Sequence, residues 1–292
     1  MYDLRNCRLC PRECGADRTV GVGFCGAGDK IRIARASPHM WEEPCISGTR
    51  GSGTVFFSGC SLGCVFCQNR RISAENYGAA VDEARFERIC FELKERGVHN
   101  ISLVSADHYI PLIIPVLRRI KEKLSLPVVF NCSGYESEGQ LEMLSGIVDI
   151  YLPDLKFFSP EVSAKYASCP DYFKVASRAL DIMVSQQPRP VIGDGIMRRG
   201  VIVRHLILPG CRKDSLEIIG YLKKRFSPDK ILISLMSQYT PNGAEGAPSR
   251  RITSFEYSSV CRALEESGFS GYYQDRTSAS SVYTPDFDLT GV

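Results

Sequence analysis

The sequence predicts an α/β protein, a partial (β/α)6 barrel preceded by a small Cys-rich N-terminal metal-binding segment. Three observations predict it. From Thr54 onward, short β-branched or aromatic runs alternate with amphipathic stretches, the signature of right-handed βαβ units on a parallel sheet. No G-x-G-x-x-G follows the first of these runs, which disfavours a dinucleotide-binding fold. Only about 240 residues follow the first fifty, short of the roughly 250 that eight closed units typically occupy, and six strand candidates are visible.

Taken in order, the first strand candidate is TVFFS at 54–58, followed by a helical stretch over Val81–Arg96. Within that stretch Phe86, Ile89, Cys90 and Leu93 recur at helical spacing, which makes Cys90 a core residue rather than a ligand. ISLV at 101–104 leads to a helix over Pro111–Lys123, VVFN at 128–131 to one over Ser137–Leu144, and IVDIYL at 147–152 to helical signals near Pro160–Gln186. VIVRHLIL at 201–208 and KILISL at 230–235 complete the set, each followed by a helix, over Asp214–Phe226 and Ser254–Ser267. Ligand sites in such sheets collect at the C-terminal strand ends, so the residues just after each strand are the functional candidates. Residues 1–50, rich in Cys, Gly, Arg and Pro, form the metal-binding segment, and residues 51–292 form the barrel with a C-terminal extension.

With 44% hydrophobic and 24% charged residues in a chain of 292, one large core or two modest ones can be buried. No apolar run approaches the roughly 20 residues of a membrane span, and MYDLRNCRLC carries charge where a secretory signal would be apolar. The expectation is a cytoplasmic protein. Net charge is +3 and the Arg-Arg pairs at Arg70, Arg118, Arg198 and Arg250 are scattered, so no basic stripe marks a nucleic-acid track. Thirteen cysteines, an odd number without an export signal, argue for metal rather than a disulfide framework. Seven fall into two groups, Cys7, Cys10, Cys14 and Cys25, then Cys60, Cys64 and Cys67.

The second group follows the first barrel strand in FFSGCSLGCVFCQN, a C-x3-C-x2-C run. A [4Fe–4S] cluster normally takes four thiolates, so three closely spaced ones leave one iron open to a substrate or cofactor. Gly59 and Gly63 let the backbone wrap closely around such a cube. A structural zinc knuckle would need a fourth ligand in a matching pair nearby.

This run resembles the radical S-adenosylmethionine (SAM) superfamily, and within it the activating enzymes of glycyl radical enzymes such as pyruvate formate-lyase. The resemblance implies that Cys60, Cys64 and Cys67 hold the catalytic cluster and that the aromatic Phe66 lies near the adenine. At the second strand end the family carries Gly-Gly-Glu, whereas this chain reads Ser105, Ala106, Asp107; Ser105 and Asp107 are the expected cofactor contacts, Asp107 accepting from the ammonium. FNCSGY resembles the family's third-strand segment and offers Asn131 and Ser133 for ribose or carboxylate contacts. LPDLKFF matches the family's Asp-x-Lys, which gives Lys156 the cofactor carboxylate and Asp154 the same pocket. Strand alternation turns both side chains one way. Arg204 on the fifth strand and Gln238 after the sixth, beside Met236 and Tyr239, are the remaining expected contacts. Alternation turns His205 away from Arg204, and a lone His such as His205 or His108 is more often structural than catalytic.

CRLCPRECGADRTVGVGFCG gives C-x2-C-x3-C-x10-C, four soft ligands able to close a site around zinc or an auxiliary iron–sulfur cluster. Cys45 belongs to neither group. This leader, joined to EEPCISGTRGSGTVFFSGC and a tail like YTPDFDLTGV, resembles a branch of the activator family along nearly the whole chain. The implied chemistry is reductive cleavage of SAM by an electron from a flavodoxin- or ferredoxin-like reductant, giving a radical that abstracts hydrogen. Its implied target is a glycine of a partner glycyl radical enzyme. Modification of a small molecule, peptide or RNA is the first alternative, and a non-enzymatic electron carrier the second.

Overall fold

The structure, a computed structural model, describes residues 3–274 and 285–292. After a turn at Leu4–Asn6 and an irregular cysteine-bearing stretch, the elements run β1 (Ile31–His39), α1 (Pro44–Ser47), β2 (Ser52–Phe57), α2 (Arg70–Ser73), β3 (Ala79–Val81) and α3 (Glu83–Glu95). Next come β4 (Ile101–Val104), α4 (Ile110–Leu124), β5 (Val128–Cys132), α5 (Glu138–Leu144), β6 (Ile150–Pro153), α6 (Pro160–Ala167) and α7 (Tyr172–Gln186). The chain continues through β7 (Val191–Gly193), β8 (Ile196–Leu206), α8 (Arg212–Arg225), β9 (Leu232–Met236), α9 (Ser254–Glu265) and β10 (Gly271–Tyr273). The sheet order is β10-β9-β8-β6-β5-β4-β2-β1-β3, with β7 paired to β8.

Strands β2, β4, β5, β6, β8 and β9 are the six sequence candidates, and each pairs in parallel with its neighbour. Continuous burial of β2, β4, β5 and β6 is what a parallel sheet covered on both faces requires. One face meets the helices through residues such as Phe130, Tyr151, Val201 and Val203. The opposite face carries a separate cluster of Val129, Ile150, Leu152, Met197 and Ile202, into which Cys45 and Ile46 of α1 are packed. α1 therefore fills part of the barrel interior. Helix ends are fixed locally: Asp82 accepts from the Arg85 amide at 2.7 Å, and Ser137 and Thr253 each close a capping box.

Four strands lie outside the sequence reading. β1, β3 and β7 pair antiparallel with their neighbours and β10 adds a parallel edge. The expected helical stretch near Pro160–Gln186 divides into α6 and α7, because Ser168 turns into the left-handed region with φ +49°. β1 belongs to the leader, so the cysteine-rich segment runs directly into the sheet. The tail lies along it, Leu289 donating to the Ala34 carbonyl and Ala36 to that of Thr290. Tyr283 and Thr284, the first residues of the tail motif, fall outside the described residues. Among the described residues no helix is long and apolar enough to cross a membrane.

The leader is bonded tightly to the loop after β2. Arg12 donates to the carbonyls of Ser61 and Leu62, each at 3.0 Å, and to those of Ala167 and Ser168 at the end of α6. The buried Arg18 donates to the carbonyls of Gly28 and His108. Cys60 N–H donates to the Cys25 carbonyl at 3.0 Å. Gly59 has φ +92°, and a β-carbon there would stand 2.3 Å from the same Cys25 oxygen.

Two outcomes follow from this packing. Ile46→Ala opens a cavity inside the barrel and should lower unfolding free energy by roughly 2–5 kcal/mol in urea titrations; an unchanged midpoint would mean that α1 does not belong to the cooperative core. Gly59→Ala should destabilise more than Gly146→Ala, a left-handed glycine with nothing within 4 Å of its β-carbon position, when both melting temperatures are compared with wild type. Equal losses would indicate backbone strain alone and no collision with Cys25.

Candidate functional site

At the C-terminal ends of β2, β4, β5, β6, β8 and β9 lies one cavity, reached by His39 and Trp41 from the leader. One wall carries Cys60, Cys64, Phe66 and Cys67 from the loop after β2. Facing residues are Ser105, Asn131, Ser133, Asp154, Lys156, Arg204 and Gln238. Of the cofactor contacts expected around the three-cysteine loop, all line the cavity except Asp107 and Tyr239. Asp107, the expected second-strand acid, does not line the cavity. A 3-10 turn over Asp107–Tyr109 rotates it away, and its carboxylate accepts from Ser61 Oγ at 2.6 Å in a buried position. Burial pushes that carboxyl up, but the His108 ring 3.6 Å away and the hydrogen bond from Ser61 outweigh it and hold the group below the usual range.

The three cysteines are half-buried and lie within electrostatic reach of one another. Burial, then the Asp107 and Cys67 charges, push Cys60 up to about 12. Cys64 is raised as well by burial, although Lys156 opposes the shift. Cys60 Sγ accepts from the Leu62 amide at 3.4 Å and Cys67 Sγ from Ser73 Oγ at 3.3 Å. Among the described residues no three His, Cys, Asp or Glu side chains are gathered to hold a metal ion. A single ion draws its ligands to one point, whereas a four-iron cube keeps them on separate corners. Three soft donors carried by one loop suit the second arrangement; the other cysteine of the lining, Cys132, comes from the end of β5 and is buried.

Opposite the thiols is a buried ion cluster. Asp154 follows β6 and bridges to Arg204 of β8. Its Oδ1 accepts from Arg204 Nε at 2.8 Å and its Oδ2 from Lys156 Nζ at 2.5 Å. Burial opposes ionisation of Asp154, yet the Arg204 and Lys156 charges outweigh it and lower the carboxyl. Arg204 also donates to Asn131 Oδ1 at 2.6 Å. His205, the next residue, points to the other face, its ring nitrogens on the Leu155 carbonyl and Ser215. His108 is buried against the Ser58 carbonyl, so neither histidine is in the cavity lining.

Phe66 meets Phe157, Tyr166 and Tyr239 edge-on at 5.9, 6.1 and 6.4 Å between ring centres, leaving a buried aromatic surface beside the loop. Met236 and Gln238 line the cavity, while Tyr239 instead donates to the Pro248 carbonyl at 2.5 Å. Ser105 holds φ +56°, which costs a non-glycine residue roughly 1–2 kcal/mol, at the strand end where the family places glycines.

Two of the leader cysteines, Cys14 and Cys25, lie close to each other, and the Cys25 carbonyl meets the loop after β2. Cys14 Sγ and Cys25 Sγ both lie 3.5 Å from where a β-carbon on Gly23 would stand. Burial pushes Cys10 up to about 12 and Cys25 to about 11, with Cys7 and Asp107 adding negative charge near both. The sequence reading missed three residues here: Arg12 and Arg18, which tie leader to barrel, and Glu42. Glu42 lines the cavity and accepts from Asn131 Nδ2 at 2.9 Å. Its sequence signal was the Glu42-Glu43 pair before Pro44, two acids in a segment destined for burial.

Comparison with known proteins agrees with this geometry. A family model described as the radical SAM superfamily matches residues 54–197. An uncharacterized protein of Methanocaldococcus jannaschii is 27% identical over 273 residues, covering 90% of this chain and 74% of that protein. The FeFe-hydrogenase maturase HydG from Carboxydothermus hydrogenoformans has a similar fold, with a TM-score of 0.51 and 15% identity over 79% of this chain and 59% of its own. Streptococcus suis SuiB bound to S-adenosylmethionine gives 0.50 and 13%, over 74% of this chain and 48% of its own.

Proposed function

Because this chain belongs to the radical SAM superfamily, we propose that it binds a [4Fe–4S] cluster and S-adenosylmethionine and abstracts a hydrogen atom from a substrate. The observation that carries the reading is the shared cavity, in which Cys60, Cys64 and Cys67 face Asp154, Lys156 and Arg204. When bound, the reduced cluster supplies the electron that divides SAM into methionine and a 5′-deoxyadenosyl radical. Lys156 holds a carboxylate as a point charge, Asp154 keeps Lys156 and Arg204 oriented, and Phe66 offers its ring to an adenine. The buried walls exclude water from a reactive intermediate.

The electron comes from a flavodoxin- or ferredoxin-like reductant, and the target is a glycine of a partner glycyl radical enzyme, as the sequence resemblance supports. One observation favours modification of a smaller substrate instead: Cys45 and Ile46 fill part of the barrel interior, which narrows the room for an entering protein loop. The discriminating measurement is the search for a glycyl radical in a candidate partner by electron paramagnetic resonance. We also assign Cys7, Cys10, Cys14 and Cys25 to a second metal site, zinc or an auxiliary cluster; the burial of Cys10 and Cys25 disfavours bare thiolates there, and a bound metal offsets that cost.

Anaerobically reconstituted protein given dithionite and SAM should release 5′-deoxyadenosine, and Cys64→Ala should abolish it. Lys156→Met should weaken SAM binding by about tenfold or more, the loss of one charge-assisted contact. No 5′-deoxyadenosine from a fully loaded cluster would sink the reading. For the leader, the Cys7→Ser/Cys10→Ser double variant should lose one equivalent of zinc, or the iron of one cluster, by metal analysis; unchanged content would remove the second site.

A further inference from the structure

Glu42 reaches the cavity from outside the six barrel strands. The segment between β1 and α1 crosses the barrel interior: β1 ends at His39, Glu42 touches Asn131 of β5 and Arg204 of β8, and Cys45 and Ile46 enter the inner core. Glu42 is held by its surroundings, with a side chain only 11% exposed.

Two carboxylates line the cavity, Glu42 and Asp154, and they differ in what they have left to offer. Both oxygens of Asp154 are engaged, by Arg204 Nε and Lys156 Nζ. Glu42 Oε2 accepts from Asn131, but Oε1 stands 3.6 Å from Arg204 Nη1, an ion-pair separation beyond hydrogen-bond reach. An incoming cation therefore finds Glu42 Oε1 as the acceptor with capacity to spare. The local charge points the same way, because Glu42, Glu43 and Asp154 stand against only Lys156 and Arg204. Burial, with Glu42 adding to it, pushes the neighbouring Glu43 carboxyl up to about 7 although Arg204 opposes the shift. Asp107, at the position where the family carries its acid, is already committed to Ser61.

We infer that Glu42 is the group that recognises a ligand ammonium in this cavity, so that the leader supplies the carboxylate missing from the second strand end. The inference rests on the radical SAM reading, since the cofactor's α-ammonium is one source of this chemistry; an amine on the substrate is the other. Its physical basis is a charge-assisted hydrogen bond in a buried site, where such bonds are strongest.

Calorimetry on the full-length, cluster-loaded protein tests it with three titrants: SAM, 5′-methylthioadenosine, which keeps the nucleoside and lacks the amino-acid moiety, and putrescine added to protein saturated with SAM. If the cofactor is the source, Glu42→Gln should weaken SAM about tenfold, Glu42→Asp should recover part of the loss, and 5′-methylthioadenosine should bind as in wild type. If the substrate is the source, SAM affinity should hold while Glu42→Gln abolishes putrescine binding. Unchanged affinity for both SAM and putrescine would overturn the inference, as would a parallel loss of 5′-methylthioadenosine, which would mark Glu42 as a structural support of Arg204. Wild-type protein that binds neither nucleoside would overturn the functional reading, and the inference with it.

Discussion

The guanidinium of Arg204 is the node on which the site and much of the barrel depend. A charge taken out of water costs several kcal/mol unless its partners are well placed, and the Arg204 side chain is only 13% exposed. Its partners come from separate parts of the chain: Asp154 after β6, Asn131 on β5, and Glu42 from the leader. Each is in place only if β5, β6, β8 and the crossing segment are in register, so the ion cluster checks the barrel's assembly. Removing one partner of such a buried group typically costs about 3–5 kcal/mol, because the remaining charge is left uncompensated. Asp154 is consequently a structural residue of the barrel, whatever it does in the cavity.

A second constraint acts on the opposite wall. The three-cysteine loop has little regular structure of its own, and its shape is set by what the leader bonds to it. Arg12 caps the carbonyls of Ser61 and Leu62, and the Cys25 carbonyl receives the Cys60 amide. The absence of a side chain at Gly59 permits that approach. Through these contacts the leader cysteine Cys25 stands one hydrogen bond from Cys60. The leader thus touches both walls of the cavity, clamping the loop from one side and delivering Glu42 to the other.

What could be read in the sequence was what local periodicity controls. The six parallel strands announced themselves because a strand buried on both faces must be a continuous apolar run. The two-residue alternation put Asp154 and Lys156 on one side and separated Arg204 from His205. The cysteine spacing exposed the loop without any knowledge of its conformation. What could not be read depends on contacts distant in sequence. IRIARASPH places apolar Ile31 and Ile33 beside arginines and a proline, and it becomes β1 because β2 and the C-terminal tail satisfy its backbone. Asp107 was misplaced because a single 3-10 turn after β4 decides its direction, and nothing in Ser-Ala-Asp-His sets that rotation. Glu42 was overlooked because its partners are 89 residues away or more.

The two walls also differ in what they need. Asp154, Lys156 and Arg204 are paired within the protein, and of this cluster only Glu42 Oε1 keeps accepting capacity. The thiol wall is not paired in this way, since burial holds Cys60 and Cys64 well above the neutral range and therefore protonated in the metal-free protein. Loading a metal must expel those protons, and the metal's charge then replaces the water that burial removed. The arrangement places the thiol half of the site on a loop held in shape by the leader. Its rigid half stands on strand ends fixed by paired charges, and that half is in place to receive a ligand before the metal is loaded.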